Sequence, residues 1–545
     1  MRLWRPDSQR GRVLWIVAAA LPLLASDLGR RILATNDEAR FAVLAQDILA
    51  RNDWLHPMLN GSLYYNKPPL QAWLIAAASW PQGDVTQFTA VVPSALAALA
   101  ATLVIWALGR ELFGSDAGRT AALTFITMQG VFLHARLPLP DMLMTALIAA
   151  SLWMYVVALR RGGTRWVAFY GLVGAAFWAK GPAGLLPLLV AAAAAVHRFK
   201  GAWWRRMRLP HGMLVVLLVI SPWFVLGFLT DRTALSHAIA FDQVRWYAPA
   251  PPTFASVVAP LQNIVSVLFP WVIVLPLVVA QALRAARGRG TEREHVVFLL
   301  TWAIVTVVVV AVSRHQRMRY YVPLAVPVAL LIGWWYAGSV VKRRGEQPVK
   351  WSVYATLAAF VAMLTLVVSA ARPRWRDDAR LLLPNSAGEA AFLLLTLALV
   401  VFGLVLGVRV KRLARGFAVA WAGAALLLGS GYHWALARRN AVYDYPKIYA
   451  ATRPHLHDIG ELRAWGIPAL PLALYFQRPV VPVEADQPLP ALSPGRPSTV
   501  TVAKASLLER SQSAGVVIVH RDWLGSAGVA IVRQDAPGAA DFRSP

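Results

Sequence analysis

Two aspartates, two lysines and a cluster of arginines are the side chains with the most chemistry to offer. Asp37 lies in the stretch NDEARF, just past a first apolar run, beside Glu38, and Asp141 follows a Pro-Leu-Pro turn. Lys67 ends the run Tyr64, Tyr65, Asn66, Lys67 ahead of two prolines, and Lys180 precedes Gly181-Pro182. Arg314, Arg317 and Arg319 share the stretch SRHQRMR, and Tyr320 and Tyr321 follow with hydroxyl donors. A guanidinium fork matches the oxygens of a phosphate, and a charge-assisted bond gains strength where the dielectric falls at a membrane boundary. Two acids among several cations suit transfer chemistry at a phosphate-bearing lipid. Each group also has a plainer use. Asp141 is placed to cap the helix after it, the arginines could snorkel to lipid phosphates in general, and residues 35–73 could be a solvated loop.

The elements that must position these residues are membrane helices. The chain has 545 residues, 58% of them hydrophobic, with a mean hydropathy of +0.52. Apolar runs of about 20 residues recur, each long enough to cross a hydrocarbon core of roughly 30 Å. Candidate spans are roughly 13–33, 88–109, 117–135, 142–160, 166–179, 182–197, 212–230, 262–284, 295–313, 320–340, 351–371, 388–408 and 416–434, about thirteen. An odd number puts the termini on opposite sides. The net charge of +27 comes from short basic connectors that fall on one side, the cytoplasm by the positive-inside rule, so nucleic-acid binding is rejected. Residues 68–80 are too short to cross and are expected to lie at the interface, with Trp73 and Trp80 as anchors. The first apolar run reads as a retained anchor rather than a cleaved signal.

The fold class expected is an all-α polytopic membrane protein with a small C-terminal periplasmic α/β domain. The transmembrane domain covers residues 1–436, with a first periplasmic loop at 34–87, and the periplasmic domain covers 437–545. The N-terminus is cytoplasmic. On this topology the acids, lysines and arginines above share the extracytoplasmic face. The chain has no cysteine, which removes disulfides, thiolate zinc sites and a thiol nucleophile. No nucleotide-binding loop, zinc-protease helix or serine elbow is present, and the histidines lack ligand spacing.

Four stretches carry a resemblance: NDEARF with NDWLHPMLNG and KPPLQAW, RLPLPDMLMT, AKGPAGLLP, and SRHQRMRYYVPLAVP. The first and last are specific. With them the chain resembles the bacterial GT-C class of integral-membrane glycosyltransferases, in the branch of the lipid A aminoarabinose transferases and their protein O-mannosyltransferase relatives. The tail segment PLALYFQRPV is similar to that class's soluble domain.

The resemblance implies a reaction at the periplasmic face of the bacterial inner membrane. A sugar on a polyprenyl-phosphate donor would pass to lipid A or another envelope glycolipid, and a monomer is expected. Asp37 matches the first-loop acid near the acceptor nucleophile, Asp141 the second acid, and Lys67 the lysine directed at the donor phosphate. Lys180, Arg314, Arg317, Arg319, Tyr320 and Tyr321 match the donor-phosphate cavity. Glu38, Tyr64, Tyr65, Asn66, Gln243 and Arg245 are expected to contact the acceptor or the sugar. The aminoarabinose transferases lead one to expect a carboxylate before the loop lysine and a histidine in a later loop, together holding a divalent metal. Here those positions are Asn66 and Gln243, both neutral amides, so no metal or other cofactor is expected and aminoarabinose is doubted as the sugar. A protein O-glycosyltransferase, a lipid transporter or flippase using the same charges, and a non-catalytic envelope scaffold are the other readings. The transporter is disfavoured because its sites tend to lie at the midplane between internal repeats.

Overall fold

The computed structural model describes residues 9–240, 254–313, 315–341, 384–409, 413–490, 492, 497–509, 516–525 and 527–534. A helix α1 (Gln9–Ala25) is followed by a polar segment that folds into structure of its own. Thr35 caps α2 (Asn36–Arg51), its hydroxyl accepting from the Glu38 amide at 3.2 Å, and the acids in the first turn favour the positive end of the helix dipole. Asn60 and Gly61 both take positive φ, as a two-residue hairpin turn requires, and join β1 (Met58–Leu59) to β2 (Ser62–Leu63). The short segment expected at the interface over 68–80 forms a helix, α3 (Leu70–Ser79), whose Trp73 packs on Trp178 at 5.3 Å within the protein.

The helical body begins with α4 (Gln87–Phe113), α5 (Ser115–Ile126) and α6 (Gln129–His134). Next come α7 (Asp141–Arg161) and α8 (Arg165–Lys180), apolar neighbours joined by a tight Gly162-Gly163 turn, so they run antiparallel. The start of α7 therefore meets the end of α8. It continues through α9 (Leu186–Phe199), the short α10 (Trp203–Arg206), α11 (Leu209–Thr230), α12 (Arg232–Ala238), α13 (Phe254–Leu268), α14 (Leu275–Ala286), α15 (Thr291–Val312) and α16 (Ala325–Val341). Two further helices, α17 (Ala387–Arg409) and α18 (Leu413–Val442), lead to the C-terminal region.

Among the described residues seven helices are long and apolar enough to cross a membrane, or up to eight if the pair bent by 109° around residues 268–271 is one span. About thirteen were expected from apolar runs. The runs at 117–135 and 13–33 form shorter helices, α5 with α6 and α1. Those at 166–179 and 182–197 form one continuous helical stretch within Arg165–Arg206, and 351–371 lies outside the described residues.

The C-terminal region is mixed α/β. Its sheet has five strands, β3 (Ile459–Trp465), β4 (Val481–Val483), β5 (Ser498–Lys504), β6 (Val516–Leu524) and β7 (Ala527–Gln534), in the order β4-β3-β5-β7-β6. β3 pairs parallel with β4 and β5, and β7 antiparallel with β5 and β6. Helix α19 (Tyr445–Thr452) precedes the sheet and α20 (Ala469–Phe476) packs on α2, so the first loop and the sheet region share one apolar core. Polar contacts reinforce that join. The Asn60 side chain bonds to both backbone groups of Val480, and the Leu33 amide donates to the Tyr475 hydroxyl at 3.0 Å.

Candidate functional site

Asp37 projects from the first turn of α2, where its carboxylate accepts from Arg317 and from Arg319 (3.2 Å) and is 3.2 Å from Arg40. Arg40 is one turn further along the same helix, the i,i+3 spacing that brings side chains together on one face. Burial pushes the Asp37 carboxyl upward, but the field of Arg319, Arg40 and Arg317 outweighs it and holds the group below its ordinary 3.8. The carboxylate is ionised at neutral pH.

Asp141 and Lys180 form the second pair. They meet because the antiparallel hairpin of α7 and α8 puts a helix start beside a helix end, and each charge suits the dipole end that carries it. Both side chains are nearly inaccessible, 1% and 8% exposed. The Lys180 ammonium also lies 4.5 Å from the centre of the Tyr320 ring. Just beyond it Gly181 takes φ +69°, and a Cβ at Gly184 would lie 2.2 Å from the Ala176 backbone, so the turn that ends α8 is packed too closely for side chains.

A cavity of about 340 Å³ opens between these pairs. Its wall includes Asp37, Arg40, Tyr64, Asn66, Lys67, Asp141, Lys180, Arg317, Arg319 and Tyr320, so among the described residues five cations face two carboxylates, an excess of three. Residues distant along the chain, from the first loop, α7, the end of α8 and the turn before α16, thus face one space. An anion with a polar body is what that charge balance accommodates.

Three candidate residues lie outside the cavity wall. Glu38 turns away from Asp37 and is buried, accepting from Arg31 (2.6 Å), Arg439 (2.8 Å) and the Ala34 amide (2.9 Å). Burial raises its carboxyl but Arg31 and Arg439 pull it below the ordinary 4.5. Tyr65 is buried with its ring 5.4 Å from that of Trp223, and buried Tyr321 donates to Gln316 at 2.6 Å. Arg314, Gln243 and Arg245 lie outside the described residues. Arg40 lines the cavity and was not among the residues singled out from sequence; its distance of three residues from Asp37 was the available signal.

Asn66 lines the cavity as a neutral amide, and among the described residues no three His, Asp or Glu side chains come together to hold a divalent metal.

With this arrangement, the chain resembles the GT-C class of integral-membrane glycosyltransferases, in the branch that includes the lipid A aminoarabinose transferases. Residues 66–226 match the family described as dolichyl-phosphate-mannose-protein mannosyltransferase. The undecaprenyl phosphate-alpha-4-amino-4-deoxy-L-arabinose arabinosyl transferase 1 of Sodalis glossinidius is 28% identical over 346 residues, which span 59% of each chain. The corresponding transferase of Pectobacterium carotovorum is 26% identical over 379 residues, 66% of this chain and 65% of its own. The similarity thus spans only about three-fifths of the length of these relatives. The crystal structure of ArnT from Cupriavidus metallidurans bound to undecaprenyl phosphate superposes with a TM-score of 0.75 at 21% identity, covering 99% of this chain and 100% of that one. This chain has that fold.

Proposed function

We propose that this protein is a glycosyltransferase that moves a hexosyl or pentosyl group from an undecaprenyl-phosphate donor to lipid A. The observation that carries the reading is the cavity lined together by Lys67, Lys180, Arg317 and Arg319 and by the carboxylates of Asp37 and Asp141. The aminoarabinosyl transferases among its relatives use a donor of this class by name.

The donor is a phosphodiester with one negative charge. As the bond between the anomeric carbon and the phosphate oxygen breaks, a second charge grows on the departing undecaprenyl phosphate. Lys67 and Lys180, with Arg317 and Arg319 drawn partly from Asp37, meet that charge as it develops and so favour the transition state over the ground state. Tyr320 holds Lys180 in direction, and Tyr64 and Asn66 offer polar contacts to the sugar. The acceptor oxygen attacks the anomeric carbon from the side of Asp37.

A carboxylate held below its ordinary pKa is a weak general base at neutral pH. This favours an acceptor that needs no deprotonation, and a lipid A phosphate is already ionised there. Asp37 then orients the arginines and the acceptor. A protein hydroxyl acceptor would need a better base, which makes protein O-glycosylation the second reading.

The proposed setting is the inner membrane, with about thirteen spans, a cytoplasmic N-terminus and the reaction at the periplasmic face. Residues 1–436 form the transferase domain and 437–545 a periplasmic domain. The protein acts as a monomer with lipid substrates. The test is mass spectrometry of lipids from cells with and without the gene. Loss of a glycosyl substituent from lipid A with accumulation of glycosyl undecaprenyl phosphate, reversed by wild type but not by Asp37→Asn, is expected. An unchanged lipid profile would sink the proposal.

A further inference from the structure

A second cavity, of about 530 Å³, lies at the other end of α8 and is lined by Trp166, Trp204, Arg205, Arg208, His211 and Val215 among others. Trp166 and Lys180 are fourteen residues apart on that helix, about 21 Å along its axis, so the two cavities lie at opposite ends of α8. Its charge is of one sign. Two arginines and a histidine line it and, among the described residues, no carboxylate does; the Arg205 guanidinium lies over the Trp204 ring at 4.9 Å.

The floor is built rather than accidental. The Tyr170 hydroxyl donates to the Met207 carbonyl at 3.0 Å and fixes the turn between α10 and α11, and a Cβ at Gly212 would lie only 2.0 Å from the Tyr170 ring. Arg208, the residue before α11, is held at φ 53° and ψ 41°, left-handed backbone that a non-glycine residue adopts at a cost. That conformation places a cation at the positive end of a 22-residue helix, where one does least for the stability of the helix and most for the capture of an anion.

Leading away from the cavity along α11, Leu214, Leu217, Leu218 and Val225 are each more than half exposed. Their spacing is that of one helix face. A phosphate alone would have no use for this stripe, whereas acyl chains lie along it. A zwitterionic headgroup would bring an ammonium with no carboxylate in the cavity wall to receive it.

We propose that this cavity binds one anionic glycerophospholipid, its phosphate held by Arg205, Arg208 and the start of α11, its headgroup against Trp204 and Trp166, and its chains along the outer face of α11. The site is separate from the reaction cavity and its occupant is not a substrate.

Native mass spectrometry of the full chain, released from micelles carrying phosphatidylglycerol or phosphatidylcholine with the same acyl chains, tests this directly. Wild type should retain phosphatidylglycerol in preference to phosphatidylcholine. Arg205→Gln with Arg208→Asn should weaken retention roughly 25-fold, about fivefold for each cation near a membrane surface. Asparagine tolerates left-handed backbone and caps helices, so the change preserves the turn. Arg293→Gln, which removes another cation from the same end of the bundle, should leave retention unchanged. Equal retention of the two lipids by wild type, an unaffected double variant, an equal loss in Arg293→Gln, or displacement of the lipid by inorganic phosphate would each overturn the proposal. The lipid comparison in wild type stands even if the double variant folds poorly.

Discussion

Replacing Lys180 by Met removes one member of a buried ion pair, and replacing Asp141 by Asn removes the other, but the two changes should not cost the same. Breaking such a pair from one side costs about 3–5 kcal/mol, because an uncompensated charge is left in a poorly solvated place. With Lys180 gone, Asp141 still feels Arg319, the next charge that acts on it, which puts Lys180→Met near the lower figure, about 3 kcal/mol. With Asp141 gone, Lys180 faces Arg319 with like charge and keeps the Tyr320 ring at 4.5 Å, which puts Asp141→Asn near about 5 kcal/mol. The double variant has neither charge to strand and should return to within about 1 kcal/mol of wild type. Equilibrium unfolding in mixed micelles reads the stabilities, and transfer assays on the same samples should find Lys180→Met and the double variant inactive, since both lack the ammonium assigned to the donor phosphate. Equal destabilisation by the two single changes, or a double variant as unstable as both combined, would refute the electrostatic reasoning.

Arg317 is half exposed and holds Asp37 from the edge of the cavity, so Arg317→Ala should leave the folded fraction unchanged while lowering transfer by about 10- to 100-fold, the worth of one charge-assisted bond; equal loss of folded protein would mean that the turn is structural. Glu38→Gln should cost about 3 kcal/mol, because Arg31 and Arg439 lose a shared buried partner. The folded Glu38 pKa lies below its unfolded value near 4.5, so its contribution is complete above that value and is lost as pH falls through the folded pKa. Wild type should therefore show an acid-unfolding limb below pH 4.5 that flattens in Glu38→Gln, with both stabilities level from pH 5 to 8. Gly184→Ala should push the turn after α8 off the Ala176 backbone, destabilise by about 1–3 kcal/mol and reduce transfer by misplacing Lys180, measured by thermal unfolding and turnover together.

The large-scale arrangement was legible because membrane burial imposes long apolar runs, and because charge stranded beside them needs a reason. That reasoning led to Asp37, Lys67, Asp141, Lys180, Arg317 and Arg319, which line one cavity although up to 282 residues separate them. Adjacent residues were harder to separate. Glu38 follows Asp37 on a helix and so points about 100° away, into the seam with Arg439. Tyr64 and Asn66 line the cavity while Tyr65 between them packs on Trp223. Tyr320 and Tyr321 diverge likewise, in a 3-10 turn. Of the two arginine partners of Glu38, Arg439 was not legible at all, since nothing local to residue 38 signals an arginine 401 residues away. The number of spans is blurred by the same physics: α5 and α6 are too short to be read as single spans, and α13 and α14 form a pair bent by 109°.

The most direct test is a reconstitution of the purified chain with glycosyl undecaprenyl phosphate extracted from cells lacking the gene, together with lipid A, followed by phosphorus NMR and mass spectrometry. Undecaprenyl phosphate and glycosylated lipid A should appear in equal amounts, with a lipid A phosphomonoester signal replaced by a phosphodiester, and neither should form with Asp37→Asn. Release of undecaprenyl phosphate without a glycosylated acceptor, or a sugar attached at a hydroxyl with the phosphomonoester intact, would contradict a transfer onto phosphate in a cavity built around a departing phosphate.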